Sequence, residues 1–324
     1  MIITRTPYRI SLFGGGTDHP NWYRENGGAV ISFAIDKYSY INVRELPPFF
    51  EHKMRVSYSK VEVVQFVSEI QHPAVREGFK TFAPGQNLEL HHHGDLPARS
   101  GVGSSSAFAV GLIHALYALK GKEISPKKLA ELAIDFEQVV LIENVGSQDQ
   151  IACSLGGMNF IEFGIGNGWS AEAINLSSDY LRSIEDRIVL LYSGIDRLSS
   201  DVSKTLLEDL DSKSSLMRKT QDLAIACRDI FLKEGSLSQI GPMLNESWEL
   251  KKAMNRSAVT PLLDDLFGLA KNAGAEGGKI LGAGGGGFCL FWVDPFHRES
   301  FIQKMKPAVA VPVRISFEGS TRIL

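Results

Sequence analysis

Residues 97–107, Pro-Ala-Arg-Ser-Gly-Val-Gly-Ser-Ser-Ser-Ala, constrain this chain more than any other stretch. Upstream, NLELHHHG (87–94) has the composition of a strand. Downstream, Phe108, Leu112, Ala115, Leu116 and Leu119 recur at helical spacing until Gly121, a natural residue to follow a helix C-terminus. A strand therefore passes through a glycine turn straight into an apolar helix. Glycines let a backbone approach a ligand closely, and a helix N-terminus offers unpaired N–H groups at the positive end of its dipole. Gly101-Val102-Gly103-Ser104-Ser105-Ser106 is thus suited to cradle phosphates. A flexible serine-rich linker would not run directly into a buried helix. The segment lacks both the Gly-Lys-Ser/Thr ending of a Walker loop and the G-x-G-x-x-G of a dinucleotide fold, so the cradle is of another kind.

Around this segment the pattern is mixed, α+β. AVISFAIDKYSYINVRE (29–45) and MRVSY (54–58) read as strands, which makes the first third mostly sheet. Ser125 and Pro126 supply an N-cap and first-turn pair for a second helix, KKLAELAIDFEQVVLIE. FGIGNGW (163–169) breaks regular structure and RIVLLYSG (187–194) opens a new strand. Amphipathic helices are expected over 201–235, 236–255 and 261–274, then strands at KILGA, FCLFWVD and VPVRISFE with a helix at PFHRESFIQKM. At 324 residues there is room for two domains, and a break near 175–185 gives 1–180 and 181–324.

Composition narrows the function. With 34 Lys and Arg against 37 Asp and Glu, the formal charge of −3 argues against a bulk nucleic-acid or membrane surface, so anion binding has to be local. Cys153, Cys227 and Cys289 are far apart, which argues against a disulfide framework or a zinc site and makes a reducing cytoplasm the expected compartment. No stretch approaches the roughly 20 apolar residues of a membrane span.

Two further glycine motifs complete a pattern. Pro7-Tyr8-Arg9 precedes Gly14-Gly15-Gly16-Thr17-Asp18, and Gly282-Ala283-Gly284-Gly285-Gly286-Gly287-Phe288 comes late. Alone, Asp18 would read as a turn cap and the late run as a hairpin bend. In this order, with residues 97–107 between them, the motifs resemble the GHMP kinases, a family that includes galactokinase, homoserine kinase and mevalonate kinase. The resemblance covers nearly the whole chain. Within the family, GSQDQIACSLGG, LLYSGIDRLSSD, ESWELKK and GGKILGAGGGGFCLFW look like a bacterial branch that acts on D-glycero-D-manno-heptose 7-phosphate. Galactokinases carry Gly-Glu-His-Thr-Asp where this chain has Gly-Gly-Gly-Thr-Asp, which puts a galactose pocket in doubt.

The resemblance implies a two-domain α+β fold, with an N-terminal domain like ribosomal protein S5 domain 2, a ferredoxin-like C-terminal domain, and the active site between them. It implies transfer of phosphate from ATP, with Mg²⁺, to a sugar or sugar phosphate, with O1 of the heptose as the expected acceptor. Pro97, Gly101, Val102, Gly103, Ser104, Ser105 and Ser106 would hold ATP, and Ser105 and Glu137 the metal. Asp149 matches the catalytic aspartate that accepts or orients the hydroxyl proton, with Arg9 beside it; Thr17, Asp18, Gly284 and Gly285 would meet the substrate. A phosphate already on the substrate needs cations, and Arg99, Arg197, Lys251 and Lys252 are candidates without a decisive spacing.

Other features read more plainly. Strand alternation sends His91, His92 and His93 to opposite faces, so a metal site is not expected there, and Trp248 reads as helix core. Rival readings are another sugar kinase, such as an L-fucose kinase or a galactokinase-like enzyme, a catalytically silent sugar sensor on the same fold, and an oxidoreductase using the late glycine run. The last is disfavoured because no acidic residue follows at the place a dinucleotide site requires. The oligomeric state is left open.

Overall fold

The computed structural model describes residues 1–166, 168–194, 213–255 and 258–324. Strand β1 (Ile2–Phe13) leads through the Gly14–Asp18 turn and helix α1 (Pro20–Asn26) into β2 (Gly28–Glu45), which returns antiparallel along it. The hairpin of β3 (Met54–Ser57) and β4 (Val61–Val64), helix α2 (Pro73–Phe82) and β5 (Leu88–Gly94) follow. Then come α3 (Ser104–Leu119), α4 (Pro126–Asp135), α5 (Gln148–Leu155) and the hairpin of β6 (Met158–Phe163) and β7 (Trp169–Ala173). The length of β2 lets its outer edge serve two neighbours: Gly28–Phe33 pairs with β6 and Ser39–Glu45 with β5.

Helix α6 (Ser178–Glu185) leads to a second, wholly antiparallel sheet in the order β11-β8-β10-β9. Its strands are β8 (Ile188–Tyr192), β9 (Ala275–Ile280), β10 (Phe288–Val293) and β11 (Val309–Val311). Helices α7 (Ser214–Leu232), α8 (Ile240–Met254), α9 (Pro261–Ala273) and α10 (Arg298–Lys304) accompany it. Helix α7 packs on β1 and β2 while α8 packs on β9, so the two sheets are joined through helices. One apolar cluster runs from Tyr8, Phe33 and Phe136 to Leu190, Phe288 and Trp292. Strand β12 (Thr321–Arg322) returns to the first sheet beside Thr4 and Arg5.

Helix α3 is the central post of the first half. It is apolar on nearly every side, and Leu112, Leu116 and Val110 are fully buried. Gly111 brings it against β1: a Cβ there would lie 2.9 Å from Thr6 Oγ1, and Thr4 Oγ1 donates to Gly111 O at 2.9 Å. Truncating Leu112 to Ala would cost about 2–5 kcal/mol.

The first third holds more helix than its composition suggests. Helix α2 starts on Pro73, with His72 Nδ1 accepting from Val75 N–H at 3.4 Å, a cap outside the usual Ser/Thr/Asp/Asn set. The strand expected over VPVRISFE ends early, because Pro312 has no N–H and the chain crosses to the first sheet, where Ser316 N–H donates to Ala34 O. Of the helix expected over 201–235, residues 201–212 lie outside the described residues.

Candidate active site

Arg9 points from β1 into a cleft where loops from the two sheets meet, and it is only 4% exposed. Its backbone N–H donates to Val102 O at 3.0 Å, so β1 carries the glycine loop directly. Its guanidinium is used in three directions: Nε donates to Asp149 Oδ1 and Nη2 to Oδ2, both at 2.6 Å, and Nη1 donates to Gly101 O at 2.7 Å. This forked pairing fixes the carboxylate plane of Asp149. Asp149 lies in the first turn of α5, where the helix dipole favours a negative charge, and its side chain keeps 23% of its surface open.

The glycine loop crosses over this pair. Gly101 (φ +87°) and Gly103 (φ +73°) both adopt left-handed backbone that a side chain would strain. A Cβ on Gly101 would sit 2.7 Å from Leu281 O, and one on Gly103 would sit 3.0 Å from Arg9 Cγ. Gly103 occupies the N-cap of α3, where no side chain caps the first turn, so the helix presents its N–H groups to the cleft. Gly101, Gly103, Ser104, Ser105 and Ser106 line it.

Glu137 lies behind the serines on a wide π-turn, Phe136–Val140, that continues α4. It is fully buried and accepts hydrogen bonds from Ser105 Oγ (3.0 Å), Ser106 Oγ (2.7 Å) and Gln150 Nε2 (2.5 Å). Burial pushes its pKa up to about 7; the hydrogen bond from Ser106 works against that, nearby Glu143 adds to it, and Gln150 and Ser105 pull it back. The donor set suits Mg²⁺. Ser105 Oγ and Glu137 Oε1 are 3.0 Å apart, and neighbouring ligands on an octahedral ion with bonds of 2.0–2.1 Å are about 2.9 Å apart. Ser105 is exposed to the cleft, leaving room for the waters and phosphate oxygens that Mg²⁺ retains.

Asp18 reaches the cleft from the opposite turn. Its Oδ1 accepts from Gly16 N–H at 2.9 Å, its Oδ2 from Gln148 N–H at 3.2 Å, and its backbone oxygen from Ser147 N–H. A Cβ on Gly146 would collide with Asp18 Oδ2, so this glycine makes the approach possible. Several expected contacts are corrected. Thr17 is fully buried and its hydroxyl holds the turn, donating toward Gly14 O (2.8 Å) and Ala29 O (3.0 Å), so its side chain does not reach a substrate. Val102 buries its side chain in the core, which leaves its backbone, the part expected to meet the nucleotide, in the loop; Pro97 stands outside the cleft with its carbonyl accepting from Ser100 Oγ. Gly284 and Gly285 lean on Ala258, while Gly282 and Ala283 line the cleft in their place.

Among the cations, Arg99 and Lys251 line the cleft. Lys252 pairs with Glu249 at 2.6 Å and lies over Trp248, which packs in the core on Phe267; Arg197 lies outside the described residues. Lys279, Ser11 and Gln148 line the cleft and Gln150 bonds Glu137 behind it; Gln148, Gln150 and Lys279 stand within GSQDQIACSLGG and GGKILGAGGGGFCLFW, but nothing in those segments assigns them a role. A lysine between glycine and apolar residues in GGKILG is the one signal that would have singled out Lys279. The histidines go separate ways: His91 Nε2 is 3.0 Å from Glu89, and His92 Nε2 is 3.1 Å from Ser39 Oγ.

Comparison with known proteins gives the family and the fold. Two family models, the GHMP kinases N terminal domain and GHMP kinases C terminal, match residues 62–157 and 230–310. The chain is 29% identical to the D-glycero-alpha-D-manno-heptose 7-phosphate kinase of Campylobacter jejuni, over 94% of this chain and 93% of the relative. It is 27% identical to the mevalonate kinase of Thermococcus sibiricus, over 98% and 97%. The fold is similar to the crystal structure of a D-glycero-D-manno-heptose 1-phosphate kinase from Bacteroides thetaiotaomicron, with a TM-score of 0.82 and 21% identity, covering 100% and 99% of the two chains. Among the described residues, no helix is long and apolar enough to cross a membrane.

Proposed function

We infer that this chain, which belongs to the GHMP kinase family and is an ATP-dependent sugar kinase, transfers the γ-phosphoryl group of ATP to O1 of D-glycero-D-manno-heptose 7-phosphate. The observation that carries the chemistry is the Arg9–Asp149 fork held 2.6 Å apart beneath the Gly101–Gly103 loop. Phosphoryl transfer needs positioning and charge neutralisation more than covalent help from the protein. The uncapped start of α3 and the serine hydroxyls hold the nucleotide phosphates. Each oxygen of Asp149 keeps a lone pair not used by Arg9, and one of these accepts the hydrogen of the sugar hydroxyl as its oxygen bonds to phosphorus and ADP leaves. Arg9 faces the charge that builds up during transfer. Mg²⁺, held by Ser105 and Glu137, would neutralise the nucleotide phosphates.

The choice of sugar rests on other grounds. Asp18 offers a carboxylate to substrate hydroxyls, the turn lacks the Glu-His pair of galactokinases, and two of the relatives are named as heptose kinases. A pocket that bonds several hydroxyls penalises substrates without them, because its own polar groups are left unpaired. ADP release should be measured across D-glycero-D-manno-heptose, its 7-phosphate, galactose, L-fucose and mevalonate, with the product's phosphorylated position determined. Preference for a heptose with phosphate entering at O1 is expected. A higher kcat/KM for galactose, L-fucose or mevalonate, or transfer to another hydroxyl, refutes the heptose assignment and leaves the kinase standing. No ATP turnover with any sugar returns the silent sensor.

A further inference from the structure

Two lysines in the cleft have no role in the chemistry above. Lys279 comes from β9 and is only 6% exposed, with Nζ donating to Leu12 O at 3.0 Å. Lys251 comes from the last turn of α8, with Nζ donating to Gly282 O. Both line the same cleft as Asp18 and Asp149. Among the described residues neither has a carboxylate within ion-pair distance; of the other cations lining the cleft, Arg9 spends its fork on Asp149 and Arg99 is exposed beside the glycine loop.

Lys279 is buried and Lys251 half-buried, and lysines are rarely this enclosed unless a counter-charge is present, because an ammonium taken out of water loses its hydration and a single carbonyl does not replace it. Packing alone would favour an apolar side chain at either position. Each ammonium has three N–H donors, and the backbone oxygens named above take one from each. An anion with several acceptor oxygens is the chemical complement of this wall.

We propose that Lys251 and Lys279 together form the seat for a phosphomonoester already present on the sugar, at the end away from the hydroxyl that reacts. The placement of Lys279 favours the substrate's phosphate over those of ATP, while Lys251 stands at Gly282, where the seat adjoins the nucleotide loop. Lys279 is tied to β1 two residues before the Gly14–Asp18 turn, whereas the nucleotide donors come from the start of α3. This arrangement carries a cost: burial first, then the charges of Lys251 and Arg9, pulls the pKa of Lys279 down to about 7. Burial, and then Arg9, pulls that of Lys251 down to about 8. A dianion between them reverses both effects.

The proposal rests on the sugar-phosphate reading above, and its test separates the two. In the full-length enzyme, kcat/KM is measured for D-glycero-D-manno-heptose 7-phosphate and for the unphosphorylated heptose. Wild type should favour the phosphorylated sugar at least about tenfold, the scale of a charge-assisted contact. Lys251→Gln and Lys279→Gln should each lower kcat/KM for the 7-phosphate at least about tenfold more than for the free heptose, mainly through KM. Lys279→Arg and Lys251→Arg, which keep the charge, should lose less of that preference. Equal losses on both sugars overturn the proposal and assign the lysines to the transferred phosphoryl group. A wild type without preference overturns it with no variant needed. If another sugar proves to be the substrate, the heptose reading fails, and the same comparison between that sugar and its terminal phosphate ester decides the proposal.

Discussion

Asp149→Asn separates two consequences of one side chain. The amide is isosteric with the carboxylate, but its NH₂ group would face an N–H of Arg9, donor against donor, where an oxygen now accepts at 2.6 Å. Arg9, 4% exposed, is left with a buried charge and half a partner. Breaking a buried pair in this way costs about 3–5 kcal/mol. Asp149 retains 23% of its side-chain surface, and screening there brings the figure to about 2–3 kcal/mol. For a chain of this size that corresponds to a fall in Tm of roughly 3–4 °C. At 25 °C the variant should stay folded and bind ATP, because the loop and the start of α3 are unchanged, while kcat falls at least about a hundredfold, the usual scale for a positioned acid or base. Calorimetry gives the first quantity and coupled ADP release the second. A variant that is as stable as wild type and within threefold of its kcat would refute both the fork and the role given to Asp149.

The metal site makes a separate prediction: Ser105→Ala and Glu137→Gln should each raise the Mg²⁺ concentration for half-maximal rate roughly tenfold or more, since each removes one of few protein oxygens. An unchanged Mg²⁺ titration in both variants would place the metal elsewhere. Glu137 also ties stability to pH. Its folded pKa is raised to about 7 from 4.5, by burial first and with Glu143 adding to it, so its contribution is fully present below about pH 4.5 and is lost as pH rises toward 7. Without Mg²⁺, the Tm of Glu137→Gln should therefore climb relative to wild type between pH 4.5 and 7, and a flat difference would contradict the burial of its charge. Gly103→Ala should cut kcat at least about tenfold by pushing on Arg9 Cγ at 3.0 Å. Gly85→Ala, at φ +76° with nothing within 4 Å, should cost only about 1–2 kcal/mol of stability; equal kinetic losses in the two would remove the loop's special place.

Features with a local cause were legible before the fold. The glycine loop, the start of α3 and the Ser125-Pro126 cap each depend on neighbours in sequence, and Arg9, Asp149 and Glu137 are singled out by the family resemblance. What was hidden depends on distant packing. KKLAELAIDFEQVVLIE keeps ordinary helical spacing, so nothing in it announces the π-turn that aims Glu137 at the serines of α3. Thr17 was assigned to the substrate because it stands beside Asp18, but only the pairing of the turn against Ala29 reveals that its hydroxyl is used internally. Lys279 enters the cleft only because β9 is brought beside β1, a contact between residues 267 positions apart.

The seam between the two halves also bears on how the substrates influence each other. Gly101 and Gly282 touch backbone to backbone, and Phe288 N–H donates to Ser100 O at 2.9 Å, so the nucleotide loop is stitched to the start of β10. Strand β10 is in turn paired with β9, which carries Lys279. A ligand shifts a second ligand's affinity only by preferring one of two arrangements of the structure between them. Here the intervening structure includes a continuous stretch of paired backbone, from Gly101 and Ser100 through β10 to β9. Occupancy of one pocket is therefore expected to leave the intrinsic affinity of the other nearly unchanged, giving a random order of addition and a KM for ATP that does not vary with sugar concentration.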